Sequence, residues 1–169
     1  KIINYRTKSK IKTSLELAKI IKETKKNYNN FKKNPATKTF QAIRIFVNQE
    51  LSELILSLIE ATKLLAKGGI LIVVSFHSLE DKIVKNFFNL YSNFRRNPSR
   101  YFPAKEKNLE LFKLSSRKSI SPEIKEIKQN FRARSAKLRY GIRTENPFFY
   151  PKEFKKKFEN YLNLERVIT

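Results

Sequence analysis

The chain contains no cysteine, methionine or tryptophan, and only three glycines in 169 residues. Without cysteine there is neither a disulfide framework nor a thiolate zinc site, and nothing in the composition points to an oxidising compartment. Three glycines leave no G-x-G-x-x-G loop of the kind that cradles a phosphate or cofactor. The longest apolar run is far too short to cross a bilayer, and the basic, polar first residues have no apolar stretch like that of a secretory signal. Acidic residues are also scarce, 15 against 37 Lys plus Arg, for a formal charge of +22. That surplus exceeds what solubility asks for and implies a polyanionic partner, nucleic acid or an anionic membrane surface. Lysine codons favoured by an AT-rich genome would raise the same count with no partner at all. The expectation is a cytoplasmic protein of one domain, or a large part of one, with enough apolar content (40%) to build a core.

What is present centres on residues 68–85. Gly68 supplies a left-handed helix stop and Gly69 the turn into a strand. Residues 70–74 form an unbroken apolar, mostly β-branched run, which predicts an interior strand buried on both faces. Directly after it come Ser75, Phe76, His77 (the only histidine), Ser78, Glu80 and Asp81. Polar groups of several kinds therefore gather where a strand of an open α/β sheet meets its following helix, the place where ligands collect in such sheets. Ser78 is the predicted N-cap of that helix, with Glu80 and Asp81 in its first turn and Ile83, Val84, Phe87 and Phe88 on its buried side.

Upstream, Thr13-Ser14-Leu15-Glu16 offers a capping box ahead of a short amphipathic helix. Phe40, Ile43, Val47, Leu51, Leu54, Ile55, Leu58 and Ile59 recur at three- and four-residue steps, so a helix, or two abutting helices, with one buried stripe is predicted to run to about Lys67. Downstream, residues 93–107 interleave Arg95, Arg96, Arg100, Lys105 and Lys107 with Phe94, Tyr101 and Phe102 in a loop. A strand is predicted over 109–114, a helix from Ser121-Pro122-Glu123, and a half-exposed strand over 136–143 in which Lys137, Arg139 and Arg143 alternate with Leu138, Tyr140 and Ile142. A basic helix over 151–162 closes the chain.

Three blocks together resemble a known family. Asn34-Pro35-Ala36-Thr37-Lys38-Thr39-Phe40-Gln41-Ala42-Ile43-Arg44-Ile45, Gly68-Gly69 with Ser75-Phe76-His77-Ser78-Leu79-Glu80-Asp81-Lys82-Ile83-Val84-Lys85, and Arg132-Ala133-Arg134-Ser135-Ala136-Lys137-Leu138-Arg139 are similar to the bacterial cytosine N4-methyltransferases of small-subunit ribosomal RNA, class H. The family has His, Arg and Arg where this chain has Asn34, Lys38 and Lys82, and Pro where it has Phe131. The lysines keep charge but lose the planar fork for bidentate contacts. The glycine-rich loop that binds S-adenosylmethionine in the family, the acidic residue that holds its ribose and a Ser-Ser-Pro segment have no counterpart here.

The resemblance implies an α/β fold, the carboxyl-terminal part of a Rossmann-like methyltransferase. Residues 1–46 would close a helical insertion, 47–144 would form the second half of the methyltransferase domain, and 145–169 a basic helical tail. It implies methyl transfer from S-adenosylmethionine, bound mainly by residues upstream of this chain, to a cytosine of ribosomal RNA in the small subunit, with neither a metal nor a membrane involved. His77 and Ser75 are the candidate catalytic residues; His77 suits a proton relay or base contact, against the simpler role of a packed histidine bonded to the strand-end backbone. Thr37, Gln41, Arg44, Arg132, Arg134, Lys137 and Arg139 are the candidate RNA-binding residues. Glu80 and Asp81 are expected to favour the helix N-terminus, with pairing of either to Arg132 or Arg134 as the alternative. A non-catalytic basic RNA-binding module, favoured by the missing cofactor loop, is the rival from another class. A membrane-surface role through the tail is weaker, because that helix lacks a clean apolar face.

Overall fold

A computed structural model describes residues 1–24, 34–92 and 110–165. The predicted loop over 93–107 and the lysine- and asparagine-rich segment 25–33 lie outside the described residues. The chain divides into two compact units, Lys1–Glu50 and Leu51–Thr169.

The first unit is helical: α1 (Ile2–Arg6), α2 (Ser14–Thr24) and α3 (Thr37–Val47). The capping box expected at Thr13 is present. Thr13 Oγ1 accepts from the Glu16 amide at 3.2 Å, while Glu16 Oε2 accepts from the Lys12 and Thr13 amides at 2.7 and 3.3 Å. Two apolar residues of α2, Ile20 and Ile21, are buried. In α3 only Ile45 is buried; Ile43 and Val47, expected in the core, are exposed. The periodicity located the helix, but not the side of it that this chain covers.

Helix α4 (Glu50–Leu64) follows α3 after a break at Gln49, whose φ of 52° cannot continue a right-handed helix. Leu51, Ile55, Leu58, Ile59 and Thr62 are buried on one side, at the spacing of a single stripe. Gly68, with φ 78°, provides the predicted left-handed stop. Its amide then donates to Arg143 O at 3.0 Å, and the Arg143 amide donates to Gly69 O at 2.8 Å.

Strand β1 (Ile70–Ser75) pairs antiparallel with β3 (Lys137–Arg143), and β3 pairs antiparallel on its other side with β2 (Phe112–Lys113), so the sheet order is β1-β3-β2. The expected interior strand of a parallel sheet is therefore, among the described residues, an antiparallel edge strand. Ile70, Ile72 and Val74, opposite Ile142, Tyr140 and Leu138, are 54%, 58% and 48% exposed. An apolar, β-branched run fits a strand covered on both faces, but it cannot tell whether the cover comes from the same stretch of chain.

The opposite face of the sheet, carrying Leu71, Val73 and Ser75 beside Gly141, Arg139 and Lys137, receives α5 (Ser78–Leu90). A Cβ at Gly141 would stand 2.8 Å from the Phe88 ring and 2.9 Å from Leu114, so only glycine lets the helix approach β3 this closely. Phe87, buried at the centre, meets Phe88, Tyr91, Phe112 and Phe154 with ring centroids 5.1 to 5.8 Å apart, in tilted or edge-on arrangements favoured by aromatic quadrupoles. The predicted strand over 109–114 is the two-residue β2, and the helix expected from Ser121 is α6 (Ile124–Gln129), with Glu123 at its N-cap. The terminal segment forms two helices, α7 (Lys152–Lys157) and α8 (Glu159–Glu165). Its Phe154, Phe158 and Leu162 are buried, which makes it part of the core as well as a basic surface.

Candidate functional site

The exit of β1 is closed by its own side chains. His77, not Ser78, is the N-cap of α5: its Nδ1 accepts from the Glu80 amide at 3.4 Å. Glu80 completes the box, its Oε2 accepting from the amides of Phe76 (2.8 Å) and His77 (3.2 Å). A ring nitrogen that accepts is unprotonated, so the proton of neutral His77 is on Nε2. Nε2 is buried and lies 3.2 Å from Glu80 Oε1, at an angle that makes no hydrogen bond. Ser75 is buried as well, and its Oγ donates to Lys137 O at 3.3 Å. As the chain stands, these two residues fix the turn between strand and helix.

One turn into α5 lies a pairing that the sequence left unresolved. Asp81 Oδ1 accepts from Arg139 Nε at 2.8 Å and Oδ2 from Lys137 Nζ at 3.1 Å. Arg139 also donates through Nη1 to Arg117 O at 2.7 Å. The Asp81 and Arg139 side chains are only 11% and 10% exposed, while that of Lys137 is 44% exposed. Burial by itself pushes the Asp81 carboxyl up, but hydrogen bonds and charge from Arg139 and Lys137 outweigh it and hold the group below its ordinary value. Glu80 and Asp81 stand in the first turn of α5 as expected, and the partners of Asp81 are Lys137 and Arg139 where the alternative reading had Arg132 or Arg134. Because Ser75 faces Lys137 in the β1–β3 register, the start of β3 is carried to the start of α5.

Arg143 reverses a further expectation. It is buried, and its guanidinium donates to the carbonyls of Thr62 (3.4 Å), Leu111 (3.3 Å) and Thr144 (3.2 Å). Burial lowers its pKa. The cationic side of β3 is therefore turned inward at Arg139 and Arg143, where fixed acceptors meet the guanidinium.

Arg132 and Arg134 are exposed on a 3₁₀ turn, Phe131–Ser135, between α6 and β3. Asn130 Oδ1 accepts from the Arg132 amide at 3.1 Å and starts the turn. The Arg134 guanidinium stands 4.3 Å from the centroid of the exposed Phe131 ring. Of the residues predicted on α3, Thr37 Oγ1 donates to Asn34 O at 2.7 Å, and Arg44 makes a bidentate pair with Glu50 at 2.8 and 3.0 Å. Gln41 is half-buried on the same helix. Thr37, Gln41 and Arg44 belong to the first unit, and Ser75, His77, Arg132, Arg134, Lys137 and Arg139 to the second.

These residues do not fit an S-adenosylmethionine cradle. The amides of Phe76 and His77 are taken by Glu80, and those of Gly68 and Gly69 by Arg143 O and Ala66 O. Among the described residues, no helix is long and apolar enough to cross a membrane.

Comparison with known proteins agrees with this mixed helix-and-sheet architecture, which is consistent with a methyltransferase-like α/β fold. The ribosomal RNA small subunit methyltransferase H of Ruegeria sp. (strain TM1040) is 44% identical over 144 residues, 85% of this chain and 44% of that protein. The protein of the same name from Sulfurihydrogenibium sp. (strain YO3AOP1) is 46% identical over 143 residues, 84% of this chain and 44% of its own length. The chain thus spans less than half the length of these relatives. Residues 1–143 match the MraW methylase family, and the chain belongs to that family.

Proposed function

We propose that the chain is the RNA-facing, carboxyl-terminal portion of an S-adenosylmethionine-dependent enzyme that methylates N4 of a cytosine in small-subunit ribosomal RNA. Residues 1–46 end a helical insertion, 47–144 form the second half of a Rossmann-like domain, and 145–169 are a helical tail. The cofactor is held by a preceding segment. The observation that carries this reading is the family match over residues 1–143 by a chain covering 44% of its relatives. Among the described residues β1 pairs on one side only, and its other edge, beside an exposed apolar face, supports this reading as the place where further strands add.

The exocyclic amine of cytosine is a poor nucleophile because its lone pair is delocalised into the ring. It must be unstacked, aligned and relieved of a proton. His77 positions the β1 exit by capping α5 with Nδ1, and with Nε2 buried it acts through the shape of that turn; acting as a base would require losing its cap on α5. Ser75 shapes the same turn. Arg132 and Arg134 contact RNA phosphates, with Phe131 as a stacking surface. Lys137 adds charge at the edge, and Arg139 serves the fold through Asp81. Thr37, Gln41 and Arg44 line the insertion side of the substrate path. A protein in which the preceding segment of a relative is joined to this chain should transfer radiolabelled methyl groups to small-subunit RNA, with N4-methylcytidine found on digestion. Label recovered only in another nucleoside would refute the assignment. The missing cradle favours one competing reading, a basic RNA-binding module without catalysis, which predicts RNA binding and no transfer.

A further inference from the structure

Beyond the stretch matched to the family, residues 150–163 build an open hollow of about 530 Å³ on the second unit. Lys152, Lys155 and Lys156 line it together with Tyr150, Glu159 and Leu162. The sequence sets this arrangement. Positions 152, 155 and 156 are spaced i, i+3 and i+4, which places the lysines on one side of α7, while Phe154 and the C-cap Phe158 turn the other side into the core. The support is fixed. Pro151 is fully buried, the Phe154 amide donates to Tyr91 Oη at 3.2 Å, and the Phe154 and Phe158 rings meet with centroids 5.3 Å apart. Lys155 Nζ stands 5.7 Å from the centroid of the Tyr150 ring, a cation–π distance that ties this lysine to the wall of the hollow. Among the described residues, none of the ammonium groups of Lys152, Lys155 and Lys156 is in an ion pair. Like charges at these spacings repel one another, and a single carboxylate, Glu159, shares the hollow with three cations.

We infer that this hollow is a contact for the RNA backbone, taking phosphates on Lys152, Lys155 and Lys156. Unpaired cations on a fixed support suit a polyanion, because bound phosphates relieve their mutual repulsion and release counterions. A membrane surface fits less well. A helix that lies in a lipid interface needs its apolar side free, and here Phe154, Phe158 and Leu162 are 0%, 3% and 5% exposed. The contact adds to that of Arg132 and Arg134, since it lies outside the matched residues 1–143. The inference rests on the RNA substrate proposed above.

The test is titration of a fluorescent single-stranded RNA with the chain over a range of salt. Lys152→Gln/Lys155→Gln/Lys156→Gln removes the three charges and leaves the buried side of α7 untouched. Lys63→Gln/Lys67→Gln/Lys113→Gln removes as many from exposed positions elsewhere on the second unit and serves as the control. Thermal unfolding confirms that both variants fold. At about 0.7 per lost contact on a single strand, the tail variant should reduce the slope of log K against log salt by roughly 2, a loss of affinity of about a hundredfold at about 0.1 M salt. The control should reduce it by less. With the wild-type chain binding RNA, a slope change in the tail variant no larger than the control's would overturn the contact and leave the RNA substrate standing. A wild-type chain that bound no RNA would refute the substrate reading and the contact together. Binding of vesicles of phosphatidylglycerol and phosphatidylcholine by that chain, lost in the tail variant, would then assign the three lysines to a membrane in place of RNA.

Discussion

Replacing Asp81 by Asn removes a carboxylate that joins the start of α5 to β3. Two bonds are affected, Arg139 Nε at 2.8 Å and Lys137 Nζ at 3.1 Å. They are not equal. Lys137, 44% exposed, can turn to water, and exposed pairs are worth less than about 1 kcal/mol. Arg139, 10% exposed, stays buried beside a neutral amide and keeps only its bond to Arg117 O among the contacts described above. Removing one partner of a buried pair costs about 3–5 kcal/mol. The retained carbonyl bond and the half-exposed lysine place Asp81→Asn near the lower end, at about 3 kcal/mol. At about 2–4 °C per kcal/mol for a chain of this size, the melting temperature should fall by about 9 °C. Calorimetric unfolding of wild type, Asp81→Asn, Arg139→Gln and the double variant isolates the coupling. A depressed carboxylate pKa stabilises the fold above the ordinary Asp value of 3.8, and this stabilisation is lost as pH falls through the folded-state value. The gap between wild type and Asp81→Asn should therefore be full at neutral pH and close below about pH 4. A loss under 1 kcal/mol at pH 7, or a gap that stays constant with acid, would refute this account of the cluster.

Gly141→Ala would drive a methyl group into Phe88 and Leu114, which stand 2.8 and 2.9 Å from the new Cβ, and should destabilise the fold by about 2 kcal/mol in denaturant titration. Phe154→Ala empties a fully buried place in the aromatic cluster and should cost about 4 kcal/mol; a loss below 1 kcal/mol would mean that the terminal helices are an appendage to the core. Arg132→Ala/Arg134→Ala should leave the melting temperature within 2 °C while lowering the salt slope of RNA binding by roughly 1.4. An unchanged slope would assign those arginines to the fold.

Local rules were legible where the chemistry is local. The box of Thr13 and Glu16, the stop at Gly68 and the strand from Ile70 each follow from a few adjacent residues, and the structure has all three. Helix α1 has no such signal in its five residues, because Lys1 offers no side-chain cap. Long-range choices were not legible. Asp81 had Arg132, Arg134, Lys137 and Arg139 available as partners, and only the register that sets Ser75 opposite Lys137 decides among them. Arg143 reads like any outward cation of an alternating strand until the carbonyls of Thr62 and Leu111 surround it. The spacing of Phe154, Phe158 and Leu162 was a usable sign that the tail is buried, hidden under the lysines beside it.

The central claim is that this chain supplies the RNA side of a methyltransferase whose cofactor is bound by residues preceding Lys1. Calorimetric titration with S-adenosylmethionine tests it most directly, comparing this chain alone with the chain joined to the preceding segment of a relative. The account predicts no heat of binding for the first and one saturable site for the second. Saturable binding by the chain alone, or none by the joined protein, would contradict it.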